Sequence, residues 1–593
     1  MYNIPNITIS QLDECYKALI SHPTFISWRE LHDRSLGFYT GEKTVRRDVI
    51  EELEKQEIMP LSCNLIAQNV NSLCGIEIQN AYRIKVNVTN NTPEARDFED
   101  AINQYMTDIQ NEPAFENAVR AAFRDAIIGG LGFVSVHYVN HKPEISYISP
   151  YNVVLDFRDA SRTFDKQQVI FVWEDLHENE IKLRYGENNY KRLEFNKSKG
   201  SDGFYGSDTV IETKERLQAL SSSLKDIDIE FQNRVFTCYR IEVVKGWQSI
   251  IDGEQEEEKQ LIKTVDPKVA LELPNPESVP VSVVIKIIIC QGKILKQELE
   301  SPIIVDGQIP IIPMVYQRGY NFIPEGLVKQ IEETQEGFNI ALSRMNAYAN
   351  TEKIFATIAN VNERNKFQDN PENVIKPNAV LALAPGDKIE TVRPTEAIAQ
   401  QRMLLDAHML FMKRACGIED ETKGIQTNAV SGVAQQQRDI NSMRTNAFVF
   451  DNFKNFKKRI GKMILQQLRY SYDTDIVVNL MDSDKRKNII LNNIIEYMDG
   501  TMEIRNDITT QCFNISIEQT PDEYTIRAQK QAEFKAVLPF LTNPGALPLL
   551  QSKKFIEWLG ISNPQELIQE LTQILQGNRQ NNEQNTGNAF MDE

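Results

Sequence analysis

In the stretch EGLVKQIEETQEGFNIALSRMNAYA, residues 325–349, Leu327, Ile331, Phe338, Leu342 and Met345 recur at spacings of three, four and seven. That period puts the five on one side of a single α-helix with one buried stripe. Gly337, in its middle, costs about 1 kcal/mol relative to alanine and marks either a packing contact or a bend. A turn-rich segment follows, with Pro371, Pro377 and the Pro385-Gly386-Asp387 turn, and reads as a small strand-and-turn insert. Thr395 then suits an N-cap, Ile398, Leu405, Met409, Met412 and Cys416 form a second helical stripe, and Gly417 suits the stop. A polar loop, residues 418–431, leads to a third stretch, about 432–470, where Val433, Ile440, Phe450, Phe453, Phe456, Ile460 and Met463 keep helical spacing. A helix of that length would reach about 50 to 60 Å, more than most single cores need.

Outward from this frame, residues 10–78 read as helical with a break at 37–41, the last piece ending at Gly75. Residues 97–128 are helical again, interrupted at Pro113, and Gly129-Gly130-Leu131-Gly132 reads as a helix stop and turn. From Phe133 the apolar period becomes two, and residues 165–315 carry β-branched runs such as VFTCYRIEVV and SVVIKIIIC. Strand character returns at DIVVNL (475–480) and CFNISIEQ (512–519), with a helical patch expected between them. Residues 522–536 and 552–575 read as helices, and the Asn/Gln-rich tail 577–593 is expected to be disordered. The fold class is α+β.

Composition removes several functions. The 593 residues include 65 Lys+Arg against 83 Asp+Glu, a net charge of −18, which argues against coating nucleic acid or an anionic membrane through bulk charge. The longest apolar run, Val279 to Cys290, contains Lys286 and is too short to span a bilayer, and no signal peptide is read at the N-terminus. Seven scattered cysteines without a CxxC suggest free thiols. There is no GxxxxGK[ST], HExxH or GxSxG, and the pairs Asp473/Asp475 and Asp482/Asp484 lack the glycine and closing glutamate of a calcium loop. No catalytic residue, cofactor or metal ligand is expected.

Several segments, in order, carry a resemblance. They are Phe38-Tyr39-Thr40-Gly41 with Asn64-Leu65-Ile66 and Gly75-Ile76-Glu77-Ile78-Gln79-Asn80; Ile148-Ser149-Pro150-Tyr151-Asn152-Val153 with Asp156 and Asp165; and Ile309-Pro310-Ile311-Ile312-Pro313. Further on come Gln335-Glu336-Gly337-Phe338-Asn339 with Ser343, then Gly417-Ile418, Ala429-Val430-Ser431-Gly432-Val433-Ala434 and Phe450-Asp451-Asn452. Together they resemble the portal (head-to-tail connector) proteins of short-tailed bacteriophages. The helix, insert, helix, loop, helix order agrees with that family.

The resemblance implies a homo-oligomeric ring, usually of twelve, at one capsid vertex of the virion, assembled in the host cytoplasm. Double-stranded DNA would pass through it without sequence specificity during packaging and ejection. Large terminase, capsid and scaffolding proteins and tail adaptor or head-completion proteins would be partners, and no membrane would be. Residues 1–325 and 471–521 would form the wing, 326–349 and 395–417 the stem helices, and 350–394 the clip. Residues 418–432 would be the tunnel loop, 433–470 the long helix, and 522–576 the crown. Clip residues Glu363, Arg364, Lys366, Asp369 and Glu372 are candidates for docking the motor. In the tunnel loop, Lys423, Gln426, Thr427 and Asn428 are candidates for weak phosphate contacts, although Lys423 equally suits pairing with Glu419, Asp420 and Glu421. Much of the basic run Lys454, Lys457, Lys458, Arg459 and Lys462 would share one helix face, offered either to DNA or, the favoured reading, to acids of a neighbouring subunit. The alternative to a portal is another ring-forming virion protein such as a tail adaptor.

Overall fold

A computed structural model describes residues 7–42, 45–80, 82–88, 93–139, 142–159, 161–191, 193, 232–252, 259–265, 270, 275–299, 307–319, 321–350, 353–357, 388–392, 394–417, 446–469, 476–482, 485–491, 493–496, 502–505 and 513–519. The chain divides into two compact units, Met1–Cys74 with Arg83–Glu518, and Gly75–Tyr82 with Gln519–Glu593. The expected crown helices, the tail 577–593 and the loop 418–432 lie outside the described residues.

The N-terminal helices are α1 (Ile9–Ile20), α2 (Pro23–Thr40), α3 (Arg47–Lys55), α4 (Leu65–Asn80), α5 (Pro93–Asn111) and α6 (Pro113–Gly129). A capping box of Thr8 and Gln11 starts α1, and Pro23 and Pro113 stand at first helical positions, where no N–H is required. Helix α2 ends at Gly41, with φ 85°, so the expected break falls there while Gly37 stays helical. The stop expected at Gly75 is corrected, because α4 continues to Asn80. One glycine costs about 1 kcal/mol, too little by itself to end a helix.

Strands β1 (Tyr82–Val88), β2 (Leu131–Val139), β3 (Lys142–Ile148), β4 (Val153–Leu155) and β5 (Val169–His177) precede two short helices, α7 (Glu178–Tyr185) and α8 (Glu187–Lys191). Then come β6 (Gln232–Asp252), β7 (Lys259–Thr264), β8 (Glu277–Cys290), β9 (Lys293–Leu299) and β10 (Ile311–Val315). The larger sheet runs β4-β5-β6-β8-β9, antiparallel throughout, with β7 also on β6. Its apolar face shares a core with Leu12, Tyr16, Phe25 and Trp28 of α1 and α2, and the Tyr16 ring meets Phe171 and Phe236 edge-on at 5.3 and 5.5 Å. A second sheet, β10-β2-β3, pairs Pro313 and Ile148 with Phe133 from either side.

The glycine cluster is the expected stop: Gly130 caps α6 at φ 89°. Gly132 has a further role. A Cβ there would stand 1.8 Å from the Ala122 carbonyl oxygen, so α6 packs onto β2 at a distance that only glycine permits.

After the short pair β11 (Gln317–Arg318) and β12 (Pro324–Glu325) comes α9 (Leu327–Asn350), then β13 (Lys353–Thr357), β14 (Lys388–Val392), α10 (Thr395–Cys416) and α11 (Ala447–Arg469). Pro394, not Thr395, holds the N-cap position of α10, a shift of one residue; Gly417 ends it at φ 61°, as read. The part of the expected long helix before residue 446 lies outside the described residues. Strands β15 (Ile476–Asp482), β16 (Lys485–Leu491), β17 (Asn493–Glu496), β18 (Met502–Arg505) and β19 (Phe513–Gln519) follow. The helical patch expected between 480 and 512 is therefore corrected. Ile489, Ile490, Ile494 and Ile495 are β-branched, and their segments pair as hairpins β15–β16 and β17–β18.

Candidate functional site

Helices α9 and α10 lie side by side and are joined by an antiparallel hairpin in which Lys353 pairs with Val392 and Thr357 with Lys388. The hairpin brings the two ends of segment 358–387 together. Clip candidates Glu363, Arg364, Lys366, Asp369 and Glu372 belong to that segment and lie outside the described residues.

Between the helices, Phe338 and Ala341 pack on Leu405, with Leu342 and Met345 around them. Gly337 is a packing contact: a Cβ there would meet His408 Cε1 at 2.5 Å. Partial burial holds the His408 imidazole below its usual pKa, favouring the neutral ring.

The other side of α9 is polar yet buried. Gln335, Asn339 and Ser343 face the chain 61–65, which leads into the first residue of α4: Leu65 N–H donates to Gln335 Oε1 (2.9 Å), Cys63 N–H to Asn339 Oδ1 (3.0 Å) and Leu61 N–H to Ser343 Oγ (2.8 Å). Gln335 Nε2 returns a bond to the Cys63 carbonyl at 2.7 Å. Every fourth side chain of α9, about 6.0 Å apart along the helix, meets every second peptide of the segment. One turn away, Glu336 accepts from the Arg46 backbone N–H and guanidinium (2.9 and 3.0 Å), and Glu332 pairs with Arg34 (2.9 Å) and Lys329 (2.7 Å). Sequence reading missed this ladder, because polar residues at helical spacing read as a solvated face.

The outer side of α10 is the reverse, apolar yet open. Leu405, Met412 and Cys416 are buried as expected, while Met409 of the same expected stripe is 37% exposed. Met403, Leu404, Leu410 and Phe411 are 72, 47, 45 and 54% exposed. At 100° per residue they fall within an arc of about 120°, opposite the buried stripe. A helix apolar on two opposite sides is built to be covered on both. The signal was present in MLLDAHMLF, residues 403–411.

Much of the basic run on α11 shares one side, that of Lys454, Lys458 and Lys462, while Lys457 and Arg459 do not. Arg459 turns into the body and donates to the carbonyls of Thr163 (3.0 Å) and Pro313 (3.3 Å), and burial lowers its pKa. Lys457 is buried with its ammonium 5.0 Å from the Phe453 ring centroid. Lys454 is partly exposed, and Lys458 and Lys462 are exposed. Successive residues on a helix are about 100° apart, which puts 457 and 459 on either side of 458. Tunnel-loop candidates Lys423, Gln426, Thr427 and Asn428 lie outside the described residues. The two ends of their segment are tied, since Asn446 Nδ2 donates to the Cys416 carbonyl at 3.0 Å. No described helix is long and apolar enough to cross a membrane.

A family model described as "Phage P22-like portal protein" matches residues 24–590. No curated protein matches the chain.

Proposed function

The chain belongs to the phage P22-like portal family, and on that premise we propose that it forms a ring, of twelve copies, at one vertex of the capsid and conducts double-stranded DNA into and out of the virion. The family is one of structural virion proteins, so chemical work on DNA would come from a partner. The observation that carries the assembly reading is the open apolar side of α10, where Met403, Leu404, Leu410 and Phe411 invite the α9–α10 pair of a neighbouring copy. In such a ring, residues 1–325 and 471–521 form the wing, α9 and α10 the stem, the segment closed by β13 and β14 the clip, 418–432 the tunnel loop, and 522–576 the crown.

The net charge of −18 per copy suits a conduit. Each phosphate neutralised by a cation releases counterions and tightens binding, whereas sliding requires a wall with few cations. Glu363, Arg364, Lys366, Asp369 and Glu372 are the proposed docking residues for terminase and tail adaptors, and Lys423, Gln426, Thr427 and Asn428 the proposed weak phosphate contacts. Of the basic run, Lys454, Lys458 and Lys462 keep the intersubunit role. Electron microscopy of the purified chain tests the proposal, which expects closed rings with a central channel. Closed dimers without a channel would contradict it.

A further inference from the structure

On α11, Lys454, Lys458 and Lys462 follow one another at four-residue steps, within an arc of about 80°. Lys458 and Lys462 are exposed and form no ion pair among the described residues. Helix α3 is their complement. Its Leu53 is buried, while Asp48, Glu51, Glu52 and Glu54, four of its nine residues, are exposed. Asp48, Glu51 and Glu52 lie within an arc of about 100° on the side away from Leu53. Glu51 pairs with Arg47 at 3.5 Å, but both are well exposed and such pairs are weak. Asp48 and Glu52 stand one step of about 6 Å apart, and so do Lys458 and Lys462, so the two helices can meet with two charges in register.

Each charged face is carried by one helix of the α9–α10 pair. Helix α3 is fastened to α9 at both ends: Arg46 before it binds Glu336, and Leu61 and Cys63 after it bind Ser343 and Asn339. Helix α11 starts beside the end of α10, where Asn446 Nδ2 donates to the Cys416 carbonyl. The acids therefore accompany α9 and the lysines accompany α10. In a ring, each copy offers one surface and receives a different one, so the two surfaces must complement each other. We propose that Lys454, Lys458 and Lys462 of one copy pair with Asp48, Glu51 and Glu52 on α3 of the next, alongside the contact made by the open side of α10. The pairing rests on the ring proposed above and names the partner of its lysines. Opposite charge fixes the order and register of the copies. In a chain of net charge −18 it also sets cations against a neighbour's acids, where self-repulsion would otherwise oppose assembly.

The test exchanges the charges in the full chain and reads, by native mass measurement at low salt, the protein concentration at which half the chains are in rings. Lys458→Glu/Lys462→Glu and Asp48→Lys/Glu52→Lys are each expected to need about tenfold more protein than wild type, since like charges then face each other at every contact. At 1 M salt, where charges are screened within about 3 Å, the difference should shrink. The variant with all four substitutions should assemble within about threefold of wild type, the pairs being restored with their signs exchanged. Mixed in equal amounts, the two double variants should form alternating rings that hold equal numbers of each, a result that no folding defect produces. Double variants that assemble like wild type would overturn the proposal, in favour of DNA if the lysine variant also retains less duplex DNA. Lost assembly that neither the exchange nor the mixture restores would overturn α3 as the partner. A wild type without rings would refute the ring itself and the contact with it, whereas the other results bear on the contact alone.

Discussion

Asn339 Oδ1 accepts the backbone N–H of Cys63 at 3.0 Å, across 276 positions of sequence. With Gln335 and Ser343 on either side, it makes one side of α9 the hydrogen-bonding partner of segment 61–65, which belongs to no described strand. Peptide groups drawn partly out of water need partners, and here helix side chains supply them.

Replacing Asn339 with Ala removes the acceptor of the Cys63 N–H, a part-buried hydrogen bond. The expected cost is about 0.5–1.5 kcal/mol, read as a lower midpoint in chemical denaturation without a change in slope. An unchanged midpoint would mean that segment 61–65 does not lie along α9.

Two glycines separate rigid from yielding contacts. Gly132 faces the backbone carbonyl of Ala122, which cannot retreat without moving α6, so Gly132→Ala is expected to cost at least about 1–3 kcal/mol. Gly337 faces the end of the His408 side chain, which can rotate away, so Gly337→Ala should change stability by less than about 1 kcal/mol, helix propensity offsetting the lost contact. Thermal unfolding of both variants checks the contrast; equal losses would contradict it.

Much of this was legible beforehand, and the reason differs by residue. Apolar stripes at three- and four-residue spacing mark helices directly, so Leu327, Ile331, Phe338, Leu405 and Met412 were read correctly. Glycine and proline punctuation placed the ends at Gly41, Gly130 and Gly417 and the start at Pro113. The quoted motif Pro150-Tyr151-Asn152 proves to be a 3-10 turn whose carbonyls at 150 and 151 accept from Arg29 at 3.0 and 2.7 Å. Asn64 and Asn452, also quoted, donate to the carbonyls of Tyr39 and Tyr316 at 2.8 and 2.9 Å. What escaped was burial of polar groups: Gln335, Asn339 and the inward turn of Arg459 depend on long-range partners that local spacing does not encode.

Asp125 offers a pH test. Burial raises its carboxyl to about 6 from the usual 3.8, against the lowering effect of the hydrogen bond from Tyr147 Oη at 2.6 Å. The folded state thus holds the proton more tightly than the unfolded one, so Asp125 favours folding below about pH 4 and that contribution is lost as pH rises to 6. Asp125→Asn keeps an acceptor for Tyr147 and removes the titration. It is expected to be more stable than the parent by about 1–3 kcal/mol at pH 7.5 and equal to it near pH 4. A gain of the same size at both pH values would contradict the assignment.

The open side of α10 carries the central claim, and native mass measurement of the purified chain tests it most directly, with Leu404→Glu/Phe411→Glu measured alongside. Wild type is expected as one closed species of twelve copies of 68.0 kDa, about 816 kDa. The double variant, with two charges on the apolar arc, is expected to stay folded by circular dichroism but to shift to monomer. A variant that assembles as well as wild type, or a wild type that forms only a closed dimer, would contradict the claim.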